Sequence, residues 1–158
     1  MNLRISLVPA ALVASLLAGC TPRLLPGTSL RDTRETRPVY EVIRAYGDAM
    51  QKRDAAAVLA LVAPDYLDAA GTPGTEDDLD RAALERTLAT DFAKIDALKL
   101  DLGVKKIEVR GAEAFAEIFY DGYFRVMTAG GAVPKRESDL HRMQFRKIGP
   151  DWKITSGL

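Results

Sequence analysis

Between Pro38 and Lys52 the apolar residues Val39, Val42, Ile43, Tyr46 and Met50 recur at the spacing that lines one stripe of a helix. Pro38 stands where a first helical turn tolerates proline. Asp54 is a predicted N-cap for a short second helix with Val58, Leu61 and Val62 on one face, ended by Pro64. These two helices are expected to pair antiparallel. Residues 65–75 contain Gly71-Thr72-Pro73-Gly74 and predict a loop. The acidic run Thr75-Glu76-Asp77-Asp78 then opens a third predicted helix carrying Leu84, Leu88, Phe92 and Ile95 along one side. After Ala97 the period falls to two. Leu98, Leu100, Leu102 and Val104 alternate with polar residues or glycine, and Ile107 and Val109 continue in the opposite phase, which predicts a bulge between Val104 and Ile107. A turn at Arg110-Gly111 leads into a second strand in which Ala114, Ala116, Ile118, Tyr120, Phe124 and Val126 share one parity. Ala129-Gly130-Gly131 predicts another turn, 137–147 a third strand, and Gly149-Pro150-Asp151 a tight turn before Trp152-Lys153-Ile154-Thr155. Three helices followed by an antiparallel meander predict an α+β domain rather than a parallel sheet with alternating helices.

The start of the chain follows other rules. Arg4 is the one charged residue among the first nineteen, and an uncharged run from Ile5 to Leu17 follows it. That layout is a secretory signal peptide, and the run is shorter than the roughly 20 residues that a helix needs to span a bilayer. It ends in Leu17-Ala18-Gly19-Cys20, which resembles the lipobox of bacterial lipoproteins. The resemblance implies cleavage between Gly19 and Cys20 and lipid, palmitate included, on the Cys20 thiol and the new amino terminus. Cys20 is the single cysteine, so no disulfide forms within the chain. Two or three acyl chains anchor far more firmly than one. Residues 20–37, polar with Pro22 and Pro26, read as a flexible tether that stands the domain some 20 to 25 Å from the lipid surface. Thr21 replaces the aspartate that often marks retention in the inner membrane. The expectation is therefore a cell-envelope protein, lipid-anchored in the outer membrane and facing the periplasm.

Charge narrows the partners. The 158 residues carry 22 basic and 22 acidic side chains, and cleavage removes one base, Arg4, and no acid. The mature chain is then nearly neutral, which argues against a nucleic-acid partner. The charges alternate in sign, as in Lys135-Arg136-Glu137-Ser138-Asp139, and read as a solvated face. No glycine-rich phosphate loop, nucleophile elbow or dinucleotide fingerprint is present. No cofactor is implied, and the lone histidine leaves no metal-ligand set.

The order of elements over residues 38–158, together with Gly149-Pro150-Asp151-Trp152-Lys153-Ile154, the helix-ending Pro64-Asp65-Tyr66 and Arg110-Gly111-Ala112-Glu113-Ala114 at the hairpin, resembles the NTF2-like superfamily, which includes ketosteroid isomerase and the SnoaL-type polyketide cyclases. That resemblance implies a cone: three N-terminal helices packed on a curved antiparallel sheet around an apolar cavity. None of these residues is a catalytic motif, so the likeness speaks for fold more than for function.

An isomerase of this kind holds a carboxylate base and a tyrosine or protonated acid in its cavity. By residue type the pocket candidates are Tyr46, Tyr66, Asp121, Tyr123, His141 and Trp152. Asp121 and Tyr123 share strand parity with Glu117, Phe115 and Phe119; the cleaner apolar parity from Ala114 to Val126 favours the outer face for that polar set, with a polar cavity wall as the other reading. His141, in phase with Asp139, Met143 and Phe145, is a candidate for the cavity mouth. Trp152 is expected to pack the end of the sheet against a helix. The favoured reading is a non-catalytic envelope module that binds a small apolar ligand or a protein partner. Two alternatives stand beside it: an isomerase, cyclase or hydratase using Asp121, Tyr123 and His141, and an envelope assembly or secretion component.

Overall fold

A computed structural model describes residues 22–69 and 78–158; the predicted signal peptide and the lipobox-like Leu17-Ala18-Gly19-Cys20 lie outside the described residues. The first long helix, α1 (Thr36–Lys52), begins two residues before Pro38. Thr33 accounts for the earlier start. Its Oγ1 accepts from the backbone N–H groups of Glu35 and Thr36 at 3.2 and 3.0 Å, satisfying donors that the helix itself leaves unpaired. Arg53, at φ 54°, closes the helix in the left-handed region, its N–H bonded to the carbonyls of Ala49 and Met50. The predicted cap of α2 (Ala55–Leu61) is present: the Asp54 carboxylate accepts from Ala57 N–H at 2.9 Å.

Two short strands, β1 (Leu67–Asp68) and β2 (Leu79–Asp80), pair antiparallel where the sequence predicted only loop and helix. Each is two residues long, too short for any periodicity to show. Consequently α3 (Arg81–Lys94) starts later than the acidic run suggested, and Asp80 caps it by accepting from Ala83 N–H at 2.6 Å. Ile95, expected on the face of α3, instead opens β3 (Ile95–Arg110).

The meander continues with β4 (Glu113–Thr128), β5 (Gly131–Ile148) and β6 (Asp151–Ser156), giving a four-stranded antiparallel sheet in chain order. The pairing of β3 with β4 slips between Val104 and Lys106, at the predicted bulge, and bulges of this kind bend a strand. The three helices pack on this curved sheet, as the α+β reading requires. β5 is longer than expected because it takes in Pro134. β6 pairs only with Gln144–Ile148, so beyond that point β5 is an edge whose second side has no neighbour to receive an N–H from residue 134. Lys135, Arg136, Glu137 and Asp139 charge this exposed edge and deter further strand pairing.

The core lies between the helices and the inner face of the sheet, with Val39, Ile43, Val58, Phe145 and Ile154 fully buried. Ala63 N–H donates to the Ile154 carbonyl at 2.8 Å and ties the end of α2 to β6. Trp152 is buried in this core, at the end of the sheet.

The tether is corrected in part. From Pro22 the chain folds onto the body as a strap: Leu24 bridges Arg31, Asp32 N–H donates to the Arg23 carbonyl at 2.7 Å, and Tyr40 Oη donates to the Pro26 carbonyl at 2.7 Å. Leu25, 1% exposed, is among the most completely buried side chains. One leucine inserted into a core outweighs the polar composition around it.

Candidate functional site

Between the C-terminal half of α1 and the inner face of the sheet lies an apolar cavity of about 200 Å³. Leu98, Leu100 and Leu102 reach it from β3, and their cross-strand partners Phe124, Gly122 and Tyr120 reach it from β4. Met50 and Tyr46 form the helical wall; Gly157 and Leu158 close another side. Gly157 is required there. At φ +91° it occupies the left-handed region, and a Cβ on it would sit 2.3 Å from the Arg142 carbonyl oxygen.

The polar groups of the lining are few: the phenols of Tyr46 and Tyr120 and the imidazole of His141. Burial foremost, and Tyr120 beside it, push the Tyr46 phenol up to about 12. Tyr120 is also raised, first by burial and then by the charges of Glu137 and Asp139. Both phenols are neutral at physiological pH and can donate or accept a hydrogen bond. The His141 ring meets Tyr120 edge-on, centroids 4.7 Å apart at 84°, with the His141 side chain 43% exposed at the cavity mouth. Asp139 Oδ2 is 4.0 Å from His141 Nε2, beyond hydrogen-bond reach. No Asp or Glu side chain lines the cavity among the described residues.

The six sequence candidates therefore divide. Tyr46 and His141 line the cavity. Tyr66 lies beneath it, 2% exposed, where its hydroxyl accepts from Leu158 N–H at 3.2 Å. Its titration is pushed up chiefly by burial, against the opposing Leu158 N–H. Asp121 and Tyr123 are corrected as pocket residues: they project from the outer face of the sheet, opposite to His141. Asp121 is bound there in a two-pronged pair, with Arg136 Nε and Nη2 at 2.9 and 2.8 Å from its two oxygens, and Arg136 holds its carboxyl below the usual range. Trp152 is core and does not line the cavity. The trio Asp121, Tyr123 and His141 is thus split by the sheet, and no single substrate can touch all three.

Sequence reasoning missed Asp68. On β1, its Oδ2 accepts from Gly157 N–H at 3.2 Å, with Tyr66 Oη at 3.5 Å, and so pins the segment that closes the cavity. The only available signal was Asp68 itself, in a stretch that reads as loop. A larger depression of about 510 Å³ lies on the other side of the sheet, but its polar rim of Glu108, Arg110, Glu113 and Arg142 is open, and Glu108 is already paired with Arg110. Among the described residues no cluster of three or more His, Cys, Asp or Glu could hold a metal ion.

Neither a protein-family model nor a curated protein matches this chain. Solved structures do. A ketosteroid isomerase-like protein from Erwinia carotovora atroseptica superposes with a TM-score of 0.66 at 17% identity, covering 80% of this chain and 95% of that one. A candidate dehydratase from the NTF2-like family of Streptomyces avermitilis gives 0.64 at 17% identity, over 78% and 93%. An NTF2-like protein with a cystatin-like fold from Novosphingobium aromaticivorans gives 0.58 at 22% identity, over 78% and 79%. The chain has the NTF2-like fold. In an NTF2-like domain at such identities the architecture is shared, and any chemistry has to be argued from the cavity.

Proposed function

We propose that this chain is a lipid-anchored envelope protein whose NTF2-like cavity holds a small apolar molecule with one polar end and does not transform it. The observation that carries the reading is the lining: leucine, isoleucine, methionine and phenylalanine walls, two neutral phenols, one imidazole and no Asp or Glu side chain among the described residues. Apolar walls supply affinity through water release, and Tyr46, Tyr120 and His141 supply hydrogen bonds that orient a carbonyl or hydroxyl. Proton abstraction next to a carbonyl calls for a base held in the cavity, and the acid proposed for it, Asp121, faces the other way. The cavity is smaller than the roughly 300 to 1,000 Å³ of sites for drug-sized molecules, so the occupant is compact. Anchoring through Cys20 is supported by the lipobox-like Leu17-Ala18-Gly19-Cys20 and the apolar run before it. It would keep the cavity at the membrane, where apolar compounds partition.

Native mass spectrometry of the protein purified in mild detergent tests the binding reading. A discrete small-molecule adduct on the wild type, absent from Gly122→Leu, is the expected result; Gly122 lines the cavity, and a Cβ built on it already comes within 3.8 Å of the lining Leu100 side chain, so a leucine there takes up cavity space. Identical adduct-free spectra for both proteins would refute it. One observation favours an enzyme instead: His141, at the mouth and in contact with Tyr120, is the single imidazole of the lining and a group of the kind that carries protons in catalysis. On that alternative the chain is an isomerase, cyclase or hydratase, and conversion of a bound carbonyl compound would be abolished by His141→Ala.

A further inference from the structure

The strap and the position of Cys20 together constrain how the domain meets the membrane. Only Thr21 separates Cys20 from Pro22, where the described chain begins. Two Cα steps span at most about 7.6 Å. From Pro22 onward the chain is fixed to the body by Leu25 in the core, the Leu24–Arg31 bridge and the Tyr40–Pro26 hydrogen bond, so it offers no slack. A diacylglyceryl group on Cys20 has its glycerol at the level of the lipid headgroups. The surface around Pro22 is then brought within contact distance of them.

That surface is suited to such contact. In a chain of zero formal net charge, residues 22–38 carry Arg23, Arg31, Arg34 and Arg37 against Asp32 and Glu35 alone. Asp32 takes up Arg37 and, at 3.1 Å, Arg23, whereas Arg31 and Arg34 form no ion pair with any described residue. Leu24, bridged to Arg31, is 47% exposed beside it. Arg23, Arg34 and Arg37 also rim one shallow depression. Cations without a described ion-pair partner, next to an exposed aliphatic side chain, are the pairing that an anionic bilayer surface attracts.

We propose that the face formed by residues 22–38 is seated on an anionic lipid surface, with Arg31 and Arg34 against the phosphates and Leu24 dipping between headgroups. The inference rests on acylation of Cys20. It replaces a domain swinging on a tether with one held in a fixed orientation. The Gly111 and Pro150 turns lie beside Arg34 and Glu35, so this end of the sheet faces the lipid. The Ala129–Gly130 hairpin tip, at the other end of the 16-residue β4, points away.

The test uses the full acylated protein reconstituted into phosphatidylcholine vesicles with or without phosphatidylglycerol. With Cys20 acylated, an engineered thiol is the only one free to take a fluorophore, placed at Glu35→Cys or at Ala129→Cys. Lipid carrying a headgroup nitroxide serves as quencher. The expected result is quenching at position 35 and not at 129, stronger with phosphatidylglycerol. In Arg31→Glu/Arg34→Glu the ratio of seated to free domain should fall by about five-fold or more for each arginine lost. Protein that floats with the vesicles yet shows equal quenching at both positions, or no response to the double substitution, overturns the seating. Protein that does not float, or that floats equally well as Cys20→Ala, instead removes the acylation on which the inference stands.

Discussion

Leu25→Ala measures how far the strap belongs to the fold. Leu25 is 1% exposed, so the substitution takes three buried carbons out of the core. At about 0.8 kcal/mol per methylene the transfer loss is about 2.4 kcal/mol. The void that remains raises the cost toward the 2.7 to 5.0 kcal/mol seen for buried leucines, and because a strap can settle inward more easily than a central strand, about 3 kcal/mol is expected. Unfolding entropy near 2.1 cal/mol/K per residue, over roughly 130 residues, converts this to a fall in Tm of about 10 °C. Urea and thermal unfolding followed by far-ultraviolet circular dichroism, in a Cys20→Ser background that stays in solution, gives both quantities. Leu24→Ala is the control: the neighbouring leucine is 47% exposed, and its truncation should stay within about 0.5 kcal/mol of the parent. Coincident unfolding curves for Leu25→Ala and the parent would show that residues 22–35 are a tether after all.

Tyr46 provides a pH signature. Its pKa is raised from an ordinary 10.0 to about 12, so the neutral phenol stabilises the fold fully below pH 10, and that contribution is lost as the pH climbs through 12. Tyr46→Phe should flatten the alkaline fall in stability, and difference absorbance that shows every tyrosine titrating near pH 10 would contradict the burial of its hydroxyl. Gly157→Ala should lower stability by at least about 1 to 3 kcal/mol, because the left-handed backbone and the close Arg142 carbonyl both resist a Cβ; an unchanged unfolding midpoint would be the contrary result. Cys20→Ala should lose incorporation of an alkynyl palmitate analogue and leave the membrane fraction, whereas continued labelling would place the lipid elsewhere.

The order of helices and strands could be read from the sequence because each long element repeats its own period. α1 spans enough turns for Val39, Ile43, Tyr46 and Met50 to declare a stripe, and the change of phase at Val104 marks the bulge that bends β3. What stayed hidden depends on single contacts made far along the chain. Leu25 sits among prolines and charges that look like a linker, and its burial depends on a surface built by α1 and the sheet. β1 and β2 are each two residues long and exist because they pair with one another. In the candidate site, strand parity favoured the outer face for Asp121 and Tyr123, since alternation is local, yet residue type alone kept them beside His141 as pocket candidates. It could not bring Tyr46 near Tyr120, nor place Asp68 against Gly157, because those neighbours meet only when the helices close over the sheet.

The central claim is that the space between α1 and the sheet is a binding cavity for a compact apolar molecule. Titration with N-phenyl-1-naphthylamine, an apolar fluorophore that brightens when sheltered from water, measures it directly on the wild type and on Gly122→Leu, both in the Cys20→Ser background. The account predicts saturable one-to-one enhancement for the wild type and its loss in Gly122→Leu at unchanged circular dichroism. Equal, saturable enhancement in both proteins would put the probe on another surface and contradict the claim.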